Sequence, residues 1–269
     1  MNKLKILTVE EARAWASEEN VVLYFHGVTE ISDEVIKELT KHEIAPLCLP
    51  DLNTLSGEQA KLLAQHKGSQ LRLNGLTALS DEQVASLATY EGDLVLSGLT
   101  SLTDNQAKAL SQHKGGSLSL DGLTTLSEKA ARALSQHEAG WISLRGLTAI
   151  SVEVATLLSN YSGGLLLNGL TSLAPEQAKA LAHHNGDLWL NGLTSLEAEQ
   201  ARALAQYKGT LYLKGLTTLT DEAASALSQH NGRGIWLEGL TTLSLEAATL
   251  LRKNRRIRLS GMLPLTCPP

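Results

Sequence analysis

Short apolar alternations punctuate this chain at regular intervals. In Leu71-Arg72-Leu73, Leu118-Ser119-Leu120 and Leu211-Tyr212-Leu213 an apolar side chain recurs at every second residue, as in a strand that buries one face. A glycine stands two residues beyond, at Gly75 in the first of these. Two more apolar anchors follow it, Leu76 and Leu79, and then the period changes. Ala107 and Leu110, Ala178 and Leu181, and Ala201 and Leu204 stand three apart, on one side of a helix. Alanine at the earlier point lets that helix approach the sheet closely, and leucine fills the interior. The pattern predicts a strand, a turn, a helix of two to three turns and a return, many times over. Its glycine recurs at Gly27, Gly75, Gly98, Gly122, Gly146, Gly169, Gly192, Gly215, Gly239 and Gly261, with Asp51 in its place once. Spacings of 23 or 24 residues dominate (75 to 98, 98 to 122). Such a period marks a solenoid, whose units bury a core only by stacking.

The helix boundaries are written into the same repeat. Ser32, Ser56, Ser80, Thr103, Ser127, Ser151, Thr220 and Ser244 hold the N-cap position, and acids such as Glu58, Glu82 and Glu153 crowd the first turn. Hydroxyls satisfy orphan N–H groups there, and carboxylates suit the positive helix end. Gln59, Gln83 and Gln106 stand three after their caps, as in a capping box. Gly68, Gly92, Gly115, Gly163, Gly186, Gly209 and Gly232 are expected as left-handed helix stops. Thr77, Thr100, Thr124, Thr148, Thr171, Thr194, Thr217 and Thr241 form a further column. Their hydroxyls are expected to be buried against the turn backbone.

With its L-x-L strand, following apolar residues and period, the chain resembles the leucine-rich repeat family over nearly its whole length. It departs from the usual repeat where that repeat places asparagine or cysteine, three residues after the second strand leucine. Here that position holds Leu76, Leu99, Leu170 or Leu193, so the resemblance is to a variant, bacterial-type repeat in which a threonine ladder replaces the asparagine ladder. The fold expected is an α/β leucine-rich-repeat-like solenoid, a horseshoe or arc, with a parallel β-sheet on one face and short helices on the other. Residues 1–269 read as one solenoid: a partial, capping unit over 1–26, tandem repeats over 27–256, and a C-terminal cap and tail over 257–269. The resemblance implies a non-catalytic scaffold for protein–protein interaction.

Composition adds little chemistry. A net charge of −5 lacks the basic footprint of a general nucleic-acid or anionic-membrane binder, so neither partner is expected. The two cysteines, Cys48 and Cys267, stand near opposite ends of the array, too far apart for a bridge, and fit a reducing compartment. No leader-like apolar stretch or membrane-length apolar run is seen, so a cytoplasmic protein is expected. His42, His66, His113, His137, His184 and His230 share one repeat position with Tyr90, Tyr161 and Tyr207. A metal site needs ligands that converge, whereas such a column is expected to stack at the helix ends and cap backbone carbonyls. No nucleophile–base set, phosphate loop or metal-protease motif occurs. No enzyme activity, cofactor or metal is expected.

The candidate recognition residues lie between the two strand leucines, where side chains point outward from the sheet. Along the chain this position reads Tyr24, Cys48, Arg72, Val95, Ser119, Ser143, Leu166, Trp189, Tyr212, Trp236 and Arg258. Aromatics make up only 4% of the chain, yet two of its four tryptophans, with Tyr212 between them, fall within three consecutive strands here. Leu166, Trp189, Tyr212, Trp236 and Arg258 form the candidate row, and Asn168, Asn191, Lys214 and Glu238 supply polar neighbours from the next outward column. An exposed aromatic row rimmed by polar groups marks a binding face. Three occupants stay open: a protein partner, a second copy of the chain, or the tail from Met262 to Pro269 folded back. A small ligand or glycan stacked on the rings is the alternative function. The basic run from Arg252 to Arg258 reads as the solvated edge of a terminal coil, with Arg258 stacking on Trp236.

Overall fold

A computed structural model describes residues 6–17 and 22–260, and the backbone of 265–266. The chain divides into two compact units, residues 1–124 with 136–143, and residues 125–135 with 144–269. In the first unit, parallel strands run from Leu23–Tyr24 to Trp141–Ser143, each paired with the next in the register of the repeat. Leu23, Leu47, Leu71, Leu94, Leu118 and Ile142 are successive partners. In the second, Leu165, Leu188, Leu211, Ile235 and Ile257 follow the same rule. Short helices alternate with the strands, most of them seven residues long, as in Asp104–Leu110 and Pro175–Leu181.

One coil shows why the array holds. Leu94, Leu96, Leu99, Ala107 and Leu110 are all essentially inaccessible. Each buried leucine stabilises by about 1.5–3 kcal/mol, but only once a neighbouring coil covers it. The expected hydroxyl caps all form: Ser56, Ser80 and Thr103, for example, accept from the N–H groups of Gln59, Gln83 and Gln106. Pro175 opens its helix, where its missing N–H costs little. Ala174 and Glu197 stand in the cap position without a side-chain cap bond.

Two expectations about the repeat are corrected. The glycines after the helices are not left-handed stops. The helices end several residues earlier on right-handed caps such as Ala64 and Ala182, and the positive-φ glycines are Gly27 and Gly140 among the described residues. What requires glycine is proximity between coils. A Cβ on Gly186 would lie 1.9 Å from the Gly163 carbonyl oxygen, and one on Gly209 would lie 1.8 Å from that of Gly186.

The threonine column, in turn, is exposed from Thr77 to Thr241. One ladder bond from it forms among the described residues, Thr241 Oγ1 to the Thr217 carbonyl at 3.2 Å. Glutamine joins the coils instead. Gln59 and Gln106 accept from their own N-cap N–H groups, while Nε2 of each donates to a carbonyl of the preceding coil, Ile31 at 2.7 Å and Leu79 at 2.7 Å. Gln177 does the same to Ile150 at 2.6 Å.

The described part of the tail, Leu265–Thr266, pairs in parallel with Leu243–Ser244. That segment leads into the last helix and is not part of the strand ladder. The remainder of the tail expected over 257–269, with Cys267, lies outside the described residues, as do residues 1–5 and 18–21 of the N-terminal cap.

Candidate functional site

In-register parallel strands place equivalent side chains one strand spacing apart, about 4.8 Å. Aromatic rings at three consecutive equivalent positions therefore meet face to face. In the second unit Leu166, Trp189, Tyr212, Trp236 and Arg258 are successive register partners. The Trp189 and Tyr212 rings lie 4.7 Å apart at 1°, and those of Tyr212 and Trp236 lie 5.6 Å apart at 23°. Each such contact contributes about 0.5–1.5 kcal/mol beyond area burial. All three rings are half-buried, and burial pushes the Tyr212 hydroxyl pKa up.

The neighbours of the rings differ from expectation in three respects. Leu166 occupies its outward register position but is only 5% exposed, so it belongs to the packed base of the row and offers little surface. The cation over Trp236 is the Lys214 ammonium, 5.4 Å from the ring centroid, while Arg258 stands exposed at the end of the row. Lys214 also pairs with Glu238 at 2.8 Å, both partly exposed, a bridge worth about 0–1 kcal/mol. Finally, Asn168 and Asn191 form an asparagine ladder of their own: Oδ1 of each accepts the backbone N–H of the next coil, Asn191 at 3.0 Å and Lys214 at 2.9 Å. Their oxygens are committed to structure, and each Nδ2 remains as a donor. The recurrence of asparagine 23 residues apart (168 to 191) was the available signal for this.

The same column in the first unit is mixed: Tyr24, which is exposed, then Cys48, Arg72, Val95, Ser119 and Ser143, with no two aromatic rings in succession. Ser119 and Ser97 share a hydrogen bond at 2.8 Å, and Ser143 Oγ donates to Asp121 at 2.5 Å. Cys48 is buried, which pushes its thiol pKa up and away from a reactive thiolate.

The histidine column is a second ring stack, in a different environment. His66 lies over Tyr90 at 6.2 Å, His113 over His137 at 5.7 Å, and His184 between Tyr161 and Tyr207 at 6.4 and 6.2 Å. All these rings are buried. Tyr90 and Tyr207 donate to the carbonyls of Gly68 and Gly186, each at 2.6 Å, and His66 Nε2 meets the Ala45 carbonyl at 2.8 Å. Burial holds the pKa values of His66, His113, His137, His184 and His230 below the usual histidine value. At Tyr90, Tyr207 and His66 the column thus closes the backbone where a helix returns to its strand. Among the described residues no group of histidine, cysteine and carboxylate ligands is arranged to hold a metal ion, and no helix is long and apolar enough to cross a membrane.

These elements define an α/β solenoid of the leucine-rich-repeat type. Among solved structures, the Toll–Spätzle complex, a molecular hub in Drosophila development and innate immunity, is similar, with a TM-score of 0.57 and 15% identity. The match covers 98% of this chain and 36% of that one, so this chain spans well under half the length of that relative. An internalin of Listeria monocytogenes gives a TM-score of 0.43 at 15% identity, over 97% of this chain and 90% of that one. At such identity the likeness concerns the fold. No protein-family model and no curated protein matches the sequence.

Proposed function

We propose that this chain is a non-catalytic scaffold for protein–protein interaction, and that the outward sheet face of the second unit is its recognition surface. The observation that carries this reading is the half-exposed stack of Trp189, Tyr212 and Trp236. Large, rigid rings held by register offer contact area at little entropic cost, the character of interface anchors. Lys214, Glu238, Arg258 and the Nδ2 groups of Asn168 and Asn191 supply the polar rim.

The ring geometry weighs against a glycan. Sugars and bases stack on open ring faces, whereas here the faces are turned on one another and the edges are presented. A second copy of the chain is a rival occupant. The test is capture from source-cell lysate by wild type and by the Trp189→Ala, Trp236→Ala double variant, with circular dichroism to confirm that the variant is folded and sedimentation to report oligomeric state. A protein retained by wild type alone supports the reading. Equal capture refutes it, and a monomer–dimer shift on substitution reassigns the row to self-association.

A further inference from the structure

The ladder's surroundings indicate what kind of protein segment would fit it. The chain carries a net charge of −5, yet residues 252–258 hold five cations and no acid. Arg252 and Lys253 end a helix, where cations suit the negative helix pole. Arg256 and Arg258 have no such explanation. Arg258 continues the ladder beyond Trp236 by strand register. Arg256 and Arg233 stand just before the two strands that carry Arg258 and Trp236. All three are exposed. Arg233 has Asp187 at 4.0 Å, and among the described residues Arg256 and Arg258 make no salt bridge. A positive margin thus borders the ring stack on its last coils, in which Arg233 alone of the three has an acidic partner among the described residues.

The rings favour the same kind of occupant. Stacked on each other, they present edges, and aromatic edges carry the positive part of the quadrupole. Carboxylate and carbonyl oxygens suit such edges, and apolar side chains pack beside them. A nucleic-acid strand would need open ring faces for its bases, and its unbroken run of phosphates would meet Glu238 and Asp187. Discrete carboxylates on a peptide can be placed to avoid both.

Resting on the interface reading above, we propose that the occupant of this ladder is an acidic polypeptide segment with interspersed apolar side chains. Its carboxylates would face Arg233, Arg256 and Arg258, and its apolar groups would lie along Trp189, Tyr212 and Trp236.

The test is fluorescence anisotropy on the full chain with three labelled probes: a short alternating Glu/Leu peptide, its Gln/Leu counterpart, and an oligothymidylate of matched length. The proteins compared are wild type, Arg256→Glu with Arg258→Glu, the milder Arg256→Gln with Arg258→Gln, and Trp236→Ala, each checked for folding by circular dichroism. The Glu/Leu peptide is expected to bind wild type, the Gln/Leu peptide much more weakly, and both the charge-reversed and Trp236→Ala proteins to lose roughly tenfold or more in affinity. Equal binding of the Gln/Leu peptide, lost in Trp236→Ala, would keep the row as an interface and overturn the acidic occupant. Glu/Leu binding that survives Trp236→Ala would instead sink the row itself. Preference for the oligothymidylate would reassign the margin to phosphate, and failure of all three probes to bind would overturn the proposal.

Discussion

Two ring ladders rise along this protein under the same rule of one residue per coil, and they have opposite exposure. The histidine–tyrosine column is buried from His66 to His230, and Tyr90, Tyr207 and His66 turn polar atoms to backbone carbonyls. The Trp189–Tyr212–Trp236 row is half-buried, its rings stacked on one another with the Lys214 ammonium over Trp236. Periodicity in a solenoid therefore does not distinguish scaffold from surface. A ring that repeats along the array, as the first column does, serves what every coil needs. A ring confined to a few coils, as the second is, serves something local.

Substitution should separate the two. Tyr207→Ala, which empties a fully buried ring site and removes the bond to Gly186, is expected to cost about 3–5 kcal/mol, read as a lower urea midpoint. A Tyr207→Ala protein as stable as wild type would contradict the structural role of the buried column. Next comes Gly186→Ala, whose Cβ would press on the Gly163 carbonyl. A loss of about 1–3 kcal/mol is expected, and a neutral result would show that the coils can separate at little cost.

Acidity should act on the first ladder alone. The folded chain holds its buried histidines below the ordinary value of 6.5, so the unfolded chain takes up protons first as pH falls. Stability is then fully present above about pH 6.5 and is lost as pH drops from there toward the lower folded-state values. For His113 and His184, nearby Asp93 and Asp187 oppose this only in part. Melting temperature should fall from pH 7 to pH 5, and less so in His184→Tyr, which installs the ring used elsewhere in the column. A flat profile in wild type would refute the linkage. The smallest stability effect is expected for Trp236→Ala, about 1 kcal/mol from one lost ring contact. A cooperative collapse there would move the exposed ladder into the scaffold.

Much of the fold could be read from the sequence because repetition averages away local ambiguity. The strand leucines, the Ser and Thr caps and the alanine–leucine helix faces all sit where the pattern placed them. The departures share one cause: they depend on the next coil, which a single copy of the repeat does not display. Gly186 and Gly209 looked like helix stops because close approach and left-handed backbone both call for glycine. The threonines looked buried because they recur, yet Gln59, Gln106 and Gln177 bridge the coils. In the candidate row the register was legible, but the burial of Leu166 and the choice of Lys214 over Arg258 as the ring's cation depend on side-chain reach and on neighbours to either side.

The glutamine bridges give the molecule a direction of growth. Gln59 reaches to Ile31, Gln106 to Leu79 and Gln177 to Ile150, in each case from the later coil to the earlier. A chain leaving the ribosome emerges N-terminus first, so each glutamine meets an acceptor that has already been synthesised. Each coil that carries such a glutamine can therefore close its helix cap and dock on its predecessor in one event, in the order in which the chain is translated.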